Sequence, residues 1–289
     1  METAAQLASR LSQASIKKFY DVYRRFDWPE RLDESRWHLS PELVSIHGTP
    51  VWDGLDAARQ RRLSLHELVN FFSFVLQGER PLVEGVSQRV YTKAHDDPDV
   101  CEYLHHFLDE ENKHMVMFAT FCRRYAGKIY PEKKIELRQD LSRGEEDIRF
   151  FLKVLVVEEL GDVYNVEMAK DDRLDPIVRE INHTHHCDEA RHIIFGRRYL
   201  KELFDRHVEQ WAPGELATFR AWVVDYLDAA WRDFYNPSVY KDAGLEDPYG
   251  VRQAALAHPS CRAHRNRVSG KLLAYLVDAG ILLEEPVLA

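Results

Sequence analysis

The chain has 289 residues, of which 30% are charged and 45% hydrophobic, and its formal net charge is -9. This composition is typical of a globular protein in water, and the negative charge, without a block of Lys or Arg, argues against a nucleic-acid partner. No apolar run reaches the roughly 18 residues of a membrane span, and no secretion signal is evident, so no membrane partner is expected. None of the four cysteines stands at C-x-x-C spacing, which predicts reduced thiols and a cytoplasmic protein.

The spacing of apolar residues predicts a chain of helices. The first predicted elements are a helix over 3–26 and an aromatic-anchored loop over 28–62. Four long helices follow at about 63–93, 99–126, 144–170 and 176–205, with a charged connector at about 130–143 between the second and the third. Later helices are predicted at about 214–235 and 265–279. Pro81 is expected to kink the first long helix. Nothing marks a flexible linker. We therefore expect one domain over 1–289, with a bundle core at about 63–205 and flanking helices at 3–26 and 214–279.

Two motifs of Glu and His stand on different predicted helices. His185, Glu189 and His192 are spaced i, i+4 and i+7, so their side chains lie within roughly 40° of one another on one helix face. Glu111 and His114 form a second Glu-x-x-His pair. Two such pairs, with one further Glu from each of two other helices, build a dinuclear carboxylate site in a four-helix bundle.

The two other long helices each offer a glutamate for this purpose. Glu79 lies in the middle of an apolar face, where a carboxylate is costly unless it is paired or binds a metal. The alternative on that helix, Glu84, faces polar residues. On the third long helix the charged residues lie opposite Glu158, which places Glu158 inward and Glu159 on the flank. Asp162 shares the face of Glu158 and could accept a hydrogen bond beside the site.

The predicted ligands are therefore four glutamates and three histidines on four helices. They are Glu79, Glu111, His114, Glu158, His185, Glu189 and His192. Oxygen and imidazole donors together suit iron or manganese, and four carboxylates balance two divalent cations. His185 would be an ordinary core residue in the common di-metal pattern. It is included because it shares a face with the motif.

Other residues near the motifs receive simpler interpretations. Histidines that point away from the motif face are expected at the surface: His105, His106, His183 and His186. Packing roles are expected for Cys187, Tyr103 and Tyr164. Asp188 and Arg191 are expected to form structural ion pairs, with no role in the site.

The motifs Glu111-x-x-His114 and His185-x-x-x-Glu189-x-x-His192 resemble those of the AurF family of di-iron N-oxygenases, whose namesake is an aminobenzoate N-oxygenase. The resemblance spans about 65–200 and includes the turn Asp97-Pro98. The segment from Glu158 to His185 matches without a gap, which supports Glu158 over Glu159. The segment 79–84 fits the first ligand helix of the family with Glu79 at the ligand position.

This resemblance, together with the helical pattern, implies an all-α fold: a ferritin-like four-helix bundle with additional N- and C-terminal helices. It implies two iron ions per chain, with manganese as an alternative, and O2 as co-substrate. The implied activity is a monooxygenase-type N-oxygenation of an arylamine, through hydroxylamine and nitroso stages toward a nitro product. A small-molecule amine substrate, an external electron donor and a homodimer are the expected partners.

Two other functions use the same ligands. A di-iron oxidase, hydroxylase or desaturase would act on carbon, and the substrate pocket would decide between carbon and nitrogen. A non-catalytic iron-binding protein of the ferritin-like class would store or hold the metal. Storage proteins use little more than the bundle, whereas much of this chain lies outside it.

Overall fold

Helices make up most of the part of the chain that the structure describes, and that part contains no β-strand. The computed structural model describes residues 2–92, 95–131 and 141–288. The helices are α1 (Ala4–Lys18), α2 (Val22–Arg25), α3 (Pro50–Asp53), α4 (Ala57–Arg89), α5 (Pro98–Ala126), α6 (Glu145–Lys170), α7 (Pro176–Val208), α8 (Pro213–Phe234), α9 (Pro237–Asp242), α10 (Pro248–Ala257) and α11 (Pro259–Asp278), with a 3₁₀ turn at Pro41–Leu43. The predicted all-α fold is confirmed. None of the described helices is both long enough and apolar enough to cross a bilayer.

The four longest helices form the bundle. Helix α4 packs along α5, α6 packs along α7, and the two pairs meet through contacts between α4 and α6 and between α5 and α7. Helix α1 lies across α5 and α7, while α8 and α9 cover α4, and α11 covers α6. Each bundle helix therefore buries one side within the bundle and part of the other under a flanking helix.

Local signals set where the bundle helices begin and end. The carboxylate of Asp97 accepts hydrogen bonds from the first amides of α5, and the carboxylate of Asp175 does the same for α7. A proline follows each cap, where its missing N–H costs nothing. Gly127 ends α5 with φ 67°, a left-handed conformation that favours glycine. These caps hold in register the two helices that carry the Glu-x-x-His motifs.

Glycines allow α4 and α6 to approach closely. A Cβ at Gly85 would lie 2.2 Å from the Phe150 ring, and one at Gly78 would lie 3.0 Å from Val157. Gly78 precedes Glu79, and Val157 precedes Glu158. The close approach therefore occurs beside the two predicted glutamates that stand outside the Glu-x-x-His motifs.

The flanking helices cover polar positions on the outside of the bundle. The side-chain amide of Asn70 donates to the Asp233 carbonyl at 3.1 Å and accepts from Asn236 at 2.8 Å. The guanidinium of Arg149 lies 4.4 Å from the Trp222 ring centroid. These polar residues of α4 and α6, which lie opposite the predicted inward glutamates, face protein.

Several predicted boundaries are corrected by the structure. A single helix over 3–26 is wrong, because α1 ends at Lys18 and Asp21 caps a separate α2. Helix α4 begins at Ala57, inside the predicted loop, and α11 begins at Pro259 rather than 265. Most of the predicted connector, residues 132–140, lies outside the described residues. Pro81 lies within α4, which continues to Arg89, and its kink remains a prediction.

A carboxyl group far from the motifs is buried under the C-terminal helices. Glu67 on α4 accepts a hydrogen bond from Ser45, whose hydroxyl also lies 2.8 Å from the hydroxyl of Tyr240. Burial raises the pKa of Glu67 to about 8, and the hydrogen bonds from Ser45 offset only part of this shift. The folded protein therefore holds this proton at a pH where the unfolded chain has released it.

Glu67 predicts a specific dependence of stability on pH. The folded group titrates near pH 8 and the unfolded one near 4.5, so its contribution is complete at low pH and is lost between those values as pH rises. The free-energy advantage of wild type over Glu67→Gln should fall by up to about 1.4 kcal/mol per pH unit in that window. Urea unfolding of both metal-free proteins from pH 5 to 8 measures this difference. Parallel pH profiles would show that Glu67 titrates normally.

Candidate metal centre

The structure brings all seven predicted ligand residues into the centre of the bundle. Glu79 comes from α4, Glu111 and His114 from α5, and Glu158 from α6. The remaining three come from α7. None of the seven is more than 5% exposed. Four helices thus deliver four carboxylates and three imidazoles to one enclosed volume.

The seven residues form two groups that share Glu189. Site A consists of Glu79, His114, His185 and Glu189, and site B consists of Glu111, Glu158, Glu189 and His192. Within each site one donor atom per residue lies within 4.8 Å of all the others. The two oxygens of Glu189 face different sites: Oε1 lies 3.2 Å from His114 Nδ1, and Oε2 lies 3.2 Å from His192 Nδ1. A carboxylate placed in this way can bridge two cations.

Most donor atoms of the cluster approach one another without forming hydrogen bonds; His192 Nδ1 and Glu189 Oε2 are the exception among the described residues. His185 Nε2 lies 2.7 Å from Glu189 Oε1, and His114 Nδ1 lies 3.6 Å from Glu79 Oε1. Neither pair is aligned as a hydrogen bond, and both oxygens of Glu79 and of Glu111 lack hydrogen-bond partners among the described residues. Buried polar atoms rarely remain unsatisfied in this way. Cations at sites A and B would satisfy them, so the residues fit a pair of metal ions.

The electrostatics of the cluster lead to the same conclusion. Burial raises the pKa of Glu79 well above its usual value, and the nearby charges of Glu111 and Glu189 raise it further. Burial likewise raises the pKa of Glu111. Burial lowers the pKa of His185 and keeps it neutral, as a metal ligand must be. Four buried carboxylates would cost several kcal/mol each without compensation, and two divalent cations supply it.

Outer carboxylates orient two of the histidines in a crossed arrangement. His114 Nε2 donates to Asp188 Oδ2 at 3.1 Å, and His192 Nε2 donates to Glu110 Oε2 at 2.9 Å. Each carboxylate comes from the opposite motif helix. Arg191 ties the two together by donating to Asp188 Oδ1 at 2.6 Å and to Glu110 Oε1. When a cation takes the place of the proton on Nδ1, each ring keeps Nε2–H bound to its carboxylate and presents Nδ1 to the metal.

This arrangement corrects the interpretation of Asp188 and Arg191. Asp188 and Arg191 do form an ion pair, but Asp188 also orients the predicted ligand His114. Burial alone would raise the pKa of Asp188, yet the hydrogen bond from His114 and the charges of His114 and Arg191 lower it. Glu110 was not identified as part of the site in the sequence analysis. The signal was present in the sequence, because an acid precedes the glutamate of both Glu-x-x-His motifs, as Glu110-Glu111 and Asp188-Glu189.

His185 is oriented by an amide instead of a carboxylate. Its Nδ1 lies 2.7 Å from the side-chain amide of Asn165 on α6, and its ring packs nearly perpendicular to that of Phe118. The other atom of that amide, Asn165 Oδ1, has no partner among the described residues. Rotating the amide by 180° lets Oδ1 accept from Nδ1–H and leaves Nε2 free for site A. Sequence reasoning did not identify Asn165.

The rejected alternatives lie away from the cluster. Glu84 is exposed and accepts a hydrogen bond from Gln88. Glu159 is buried but pairs with Arg197 at 2.8 Å. Asp162 does not support a ligand, because its oxygen lies 2.6 Å from Nδ1 of the half-buried His186. His105 and His183 are exposed and His106 is half-buried, so the cluster includes none of them.

Two cavities border helices that carry predicted ligands. A small apolar cavity of about 10 Å³ borders site B and is lined by Glu158, His192 and aromatic and aliphatic side chains. A cleft of about 320 Å³ lies between α4, α6 and α8. It touches Gly78 and Val157, the residues that precede Glu79 and Glu158. Val154 lines both cavities.

Comparison with known proteins identifies the family of this chain. A family model described as "P-aminobenzoate N-oxygenase AurF" matches residues 1–280. The match extends well beyond the 65–200 region of the sequence resemblance, into both flanking parts of the chain. Two similar proteins are "Uncharacterized protein Rv0885" of Mycobacterium tuberculosis (strain ATCC 25618 / H37Rv) and "Uncharacterized protein Mb0909" of Mycobacterium bovis (strain ATCC BAA-935 / AF2122/97). Each is 24% identical over 257 residues, which is 85% of this chain and 72% of the relative. Because the family model covers almost the whole chain, the protein belongs to the AurF family.

Proposed function

We propose that this protein is a di-iron oxygenase that uses O2 to oxidise the nitrogen of a small amine. The observation that carries the proposal is the pair of four-donor sites that share Glu189. Membership of a family described as an N-oxygenase supports an oxygenase and favours nitrogen over carbon. The curated relatives have no assigned substrate, so the amine is inferred from the family description and from the pocket.

The seven residues would hold the two irons unequally. Site A would offer two imidazoles and two carboxylates, and site B would offer one imidazole and three carboxylates. Four glutamates neutralise two ferrous ions, which lets an enclosed site hold the pair. When bound, the ferrous pair would supply the electrons that activate O2 and would deliver an oxygen atom to the substrate. The extra imidazole at site A, from His185, makes that iron the more nitrogen-rich of the two.

Side chains beside site B exclude water, and a separate cleft offers room for a substrate. Phe107, Phe151 and Phe195 line the small cavity beside site B. Such a lining protects reactive oxygen species from water and protons. The larger cleft has the volume for a small aromatic amine and a mostly apolar wall with a few polar groups, as small-molecule sites have. We infer that the substrate binds in this cleft and that movement of Val154 connects it to site B.

The ligand assignment predicts different metal contents for two glutamate variants of α4. Glu79→Ala removes one donor from site A and leaves site B complete, so iron bound anaerobically should fall from two ions per chain toward one. Glu84→Ala is the matched control on the same helix and should keep two. Iron counted per chain after removal of unbound metal measures both. Two irons in Glu79→Ala, or a loss in Glu84→Ala, would contradict the assignment.

The crossed hydrogen bonds predict a role for Asp188. Asp188→Asn weakens the acceptor for His114 Nε2–H and should lower Fe(II) affinity at site A by about 10- to 100-fold. Asp162→Asn is the control, because Asp162 bonds to His186 and not to a residue of sites A or B. Competition with a chelator of known affinity measures both variants. Equal affinities would reduce Asp188 to a structural ion pair.

The proposed reaction predicts oxygen on nitrogen. Iron-loaded protein, reduced chemically and exposed to isotopically labelled O2, should convert at least one arylamine of a broad panel to its hydroxylamine, nitroso or nitro product. Mass spectrometry locates the label, and metal-free protein is the control. Label on carbon would instead favour the carbon-oxidising alternative. Consumption of O2 with no labelled product from any amine would contradict N-oxygenation.

A further inference from the structure

We propose that a surface at the end of α1 is the docking site for an acidic one-electron carrier protein that reduces the metal pair. This inference rests on the proposed function, because it concerns how electrons reach that site. We call the surface the N-terminal patch. Its members are Ile16, Lys17, Lys18, Phe19, Tyr20, Tyr23, Arg24 and Arg25.

The N-terminal patch is cationic although the chain as a whole carries a net charge of -9. Lys17 and Lys18 are exposed in the last turn of α1 and make no ion pair with any residue in the described ranges. Arg24 lies 3.6 Å from Asp21, and Arg25 pairs with Glu180. The two lysine charges are therefore left for a partner. A local positive surface on an acidic protein steers an acidic partner to that one face.

The same patch exposes large apolar side chains. Phe19 is 68% exposed, Tyr23 79% and Ile16 51%. The buried Lys113 contacts this patch, with its Nζ 4.2 Å from the centroid of the Phe19 ring. Exposed aromatic side chains among cations have the composition of a protein interface rather than of ordinary surface.

A depression in the patch leads toward site A. It has a volume of about 320 Å³, with Lys17, Lys18 and Arg25 among its lining residues and with Tyr20 and Asp188 also in its wall. The hydroxyl of Tyr20 donates to Asp188 Oδ2 at 3.1 Å, and the same oxygen accepts from His114 Nε2 at 3.1 Å. A hydrogen-bonded chain of three side chains thus joins the patch to a predicted ligand of site A.

A carrier protein fits these features better than a second copy of the chain or a membrane. A two-fold contact would set the patch against itself and bring its unpaired lysines together, which is repulsive. A flat membrane surface would not enter the depression that opens onto Tyr20 and Asp188. A carrier that docks here comes close to site A. Each docking would oxidise the carrier by one electron and reduce one ferric ion to ferrous, so two dockings restore the ferrous pair.

The test uses charge reversal and a binding measurement. The probe is a plant-type [2Fe–2S] ferredoxin, an acidic one-electron carrier, titrated calorimetrically into the full-length protein at low ionic strength. Lys17→Glu with Lys18→Glu should weaken binding by about 10-fold or more and flatten its dependence on salt. Lys17→Gln with Lys18→Gln should weaken it less. Arg59→Glu with Arg262→Glu reverses two exposed charges on α4 and α11, away from the patch, and should leave affinity within about twofold of wild type.

Every outcome of this experiment decides the proposal. Equal weakening by the control pair, no effect of the lysine pair, or no binding of ferredoxin to wild type would overturn it. So would a wild-type dimer that the lysine pair dissociates, or anionic phospholipid vesicles that bind through the patch while ferredoxin does not. Circular dichroism checks that the variants fold. Chemically reduced wild type tests the proposed function separately, because amine oxidation driven by dithionite does not need a docking surface.

Discussion

The structure depends on the concentration of negative charge around Glu189. Four glutamates lie at most 5% exposed in one enclosed volume, and several of their oxygens have no hydrogen-bond donor among the described residues. An apolar bundle of the same size would avoid this cost. Two divalent cations remove it. The cluster is therefore an arrangement that costs stability without metal and that becomes favourable when metal binds.

The surrounding residues follow from this constraint. Because α4 and α6 supply the two glutamates outside the motifs, they must approach closely, and Gly78 and Gly85 permit it. Because imidazoles must present a bare nitrogen to metal, Glu110 and Asp188 hold the far nitrogens of His192 and His114. Those carboxylates carry charge in turn, and Arg191 neutralises part of it. The buried histidine ligands thus require the outer carboxylates, and the outer carboxylates in turn require the charge of Arg191.

Helical periodicity made much of this predictable from the sequence. Whether Glu158 or Glu159 faces inward is decided by neighbours within a few turns, and the structure places Glu158 in site B and pairs Glu159 with Arg197. For the same reason the bounds of α5, α6 and α7 were predicted within three residues, whereas α4 begins six residues before its predicted start. The all-α architecture followed from the helices that these patterns predicted.

Contacts between distant segments could not be predicted in the same way. Asn165 reaches His185 only because α6 and α7 pack together, and Tyr20 reaches Asp188 only because α1 ends at Lys18 and the chain turns. The predicted helix over 3–26 failed at this turn, where Asp21 caps α2. Amphipathic spacing through residues 16–23 resembles a continuous helix, and no local signal outweighed it.

The central claim is that Glu189 lies between two irons. Anomalous X-ray diffraction from crystals of the iron-loaded protein, measured at the iron edge, tests it most directly. The account predicts two peaks per chain, about 3.5–4 Å apart as in other two-metal sites, with one on each side of the Glu189 carboxylate. A single peak, or peaks that Glu189 does not contact, would contradict it.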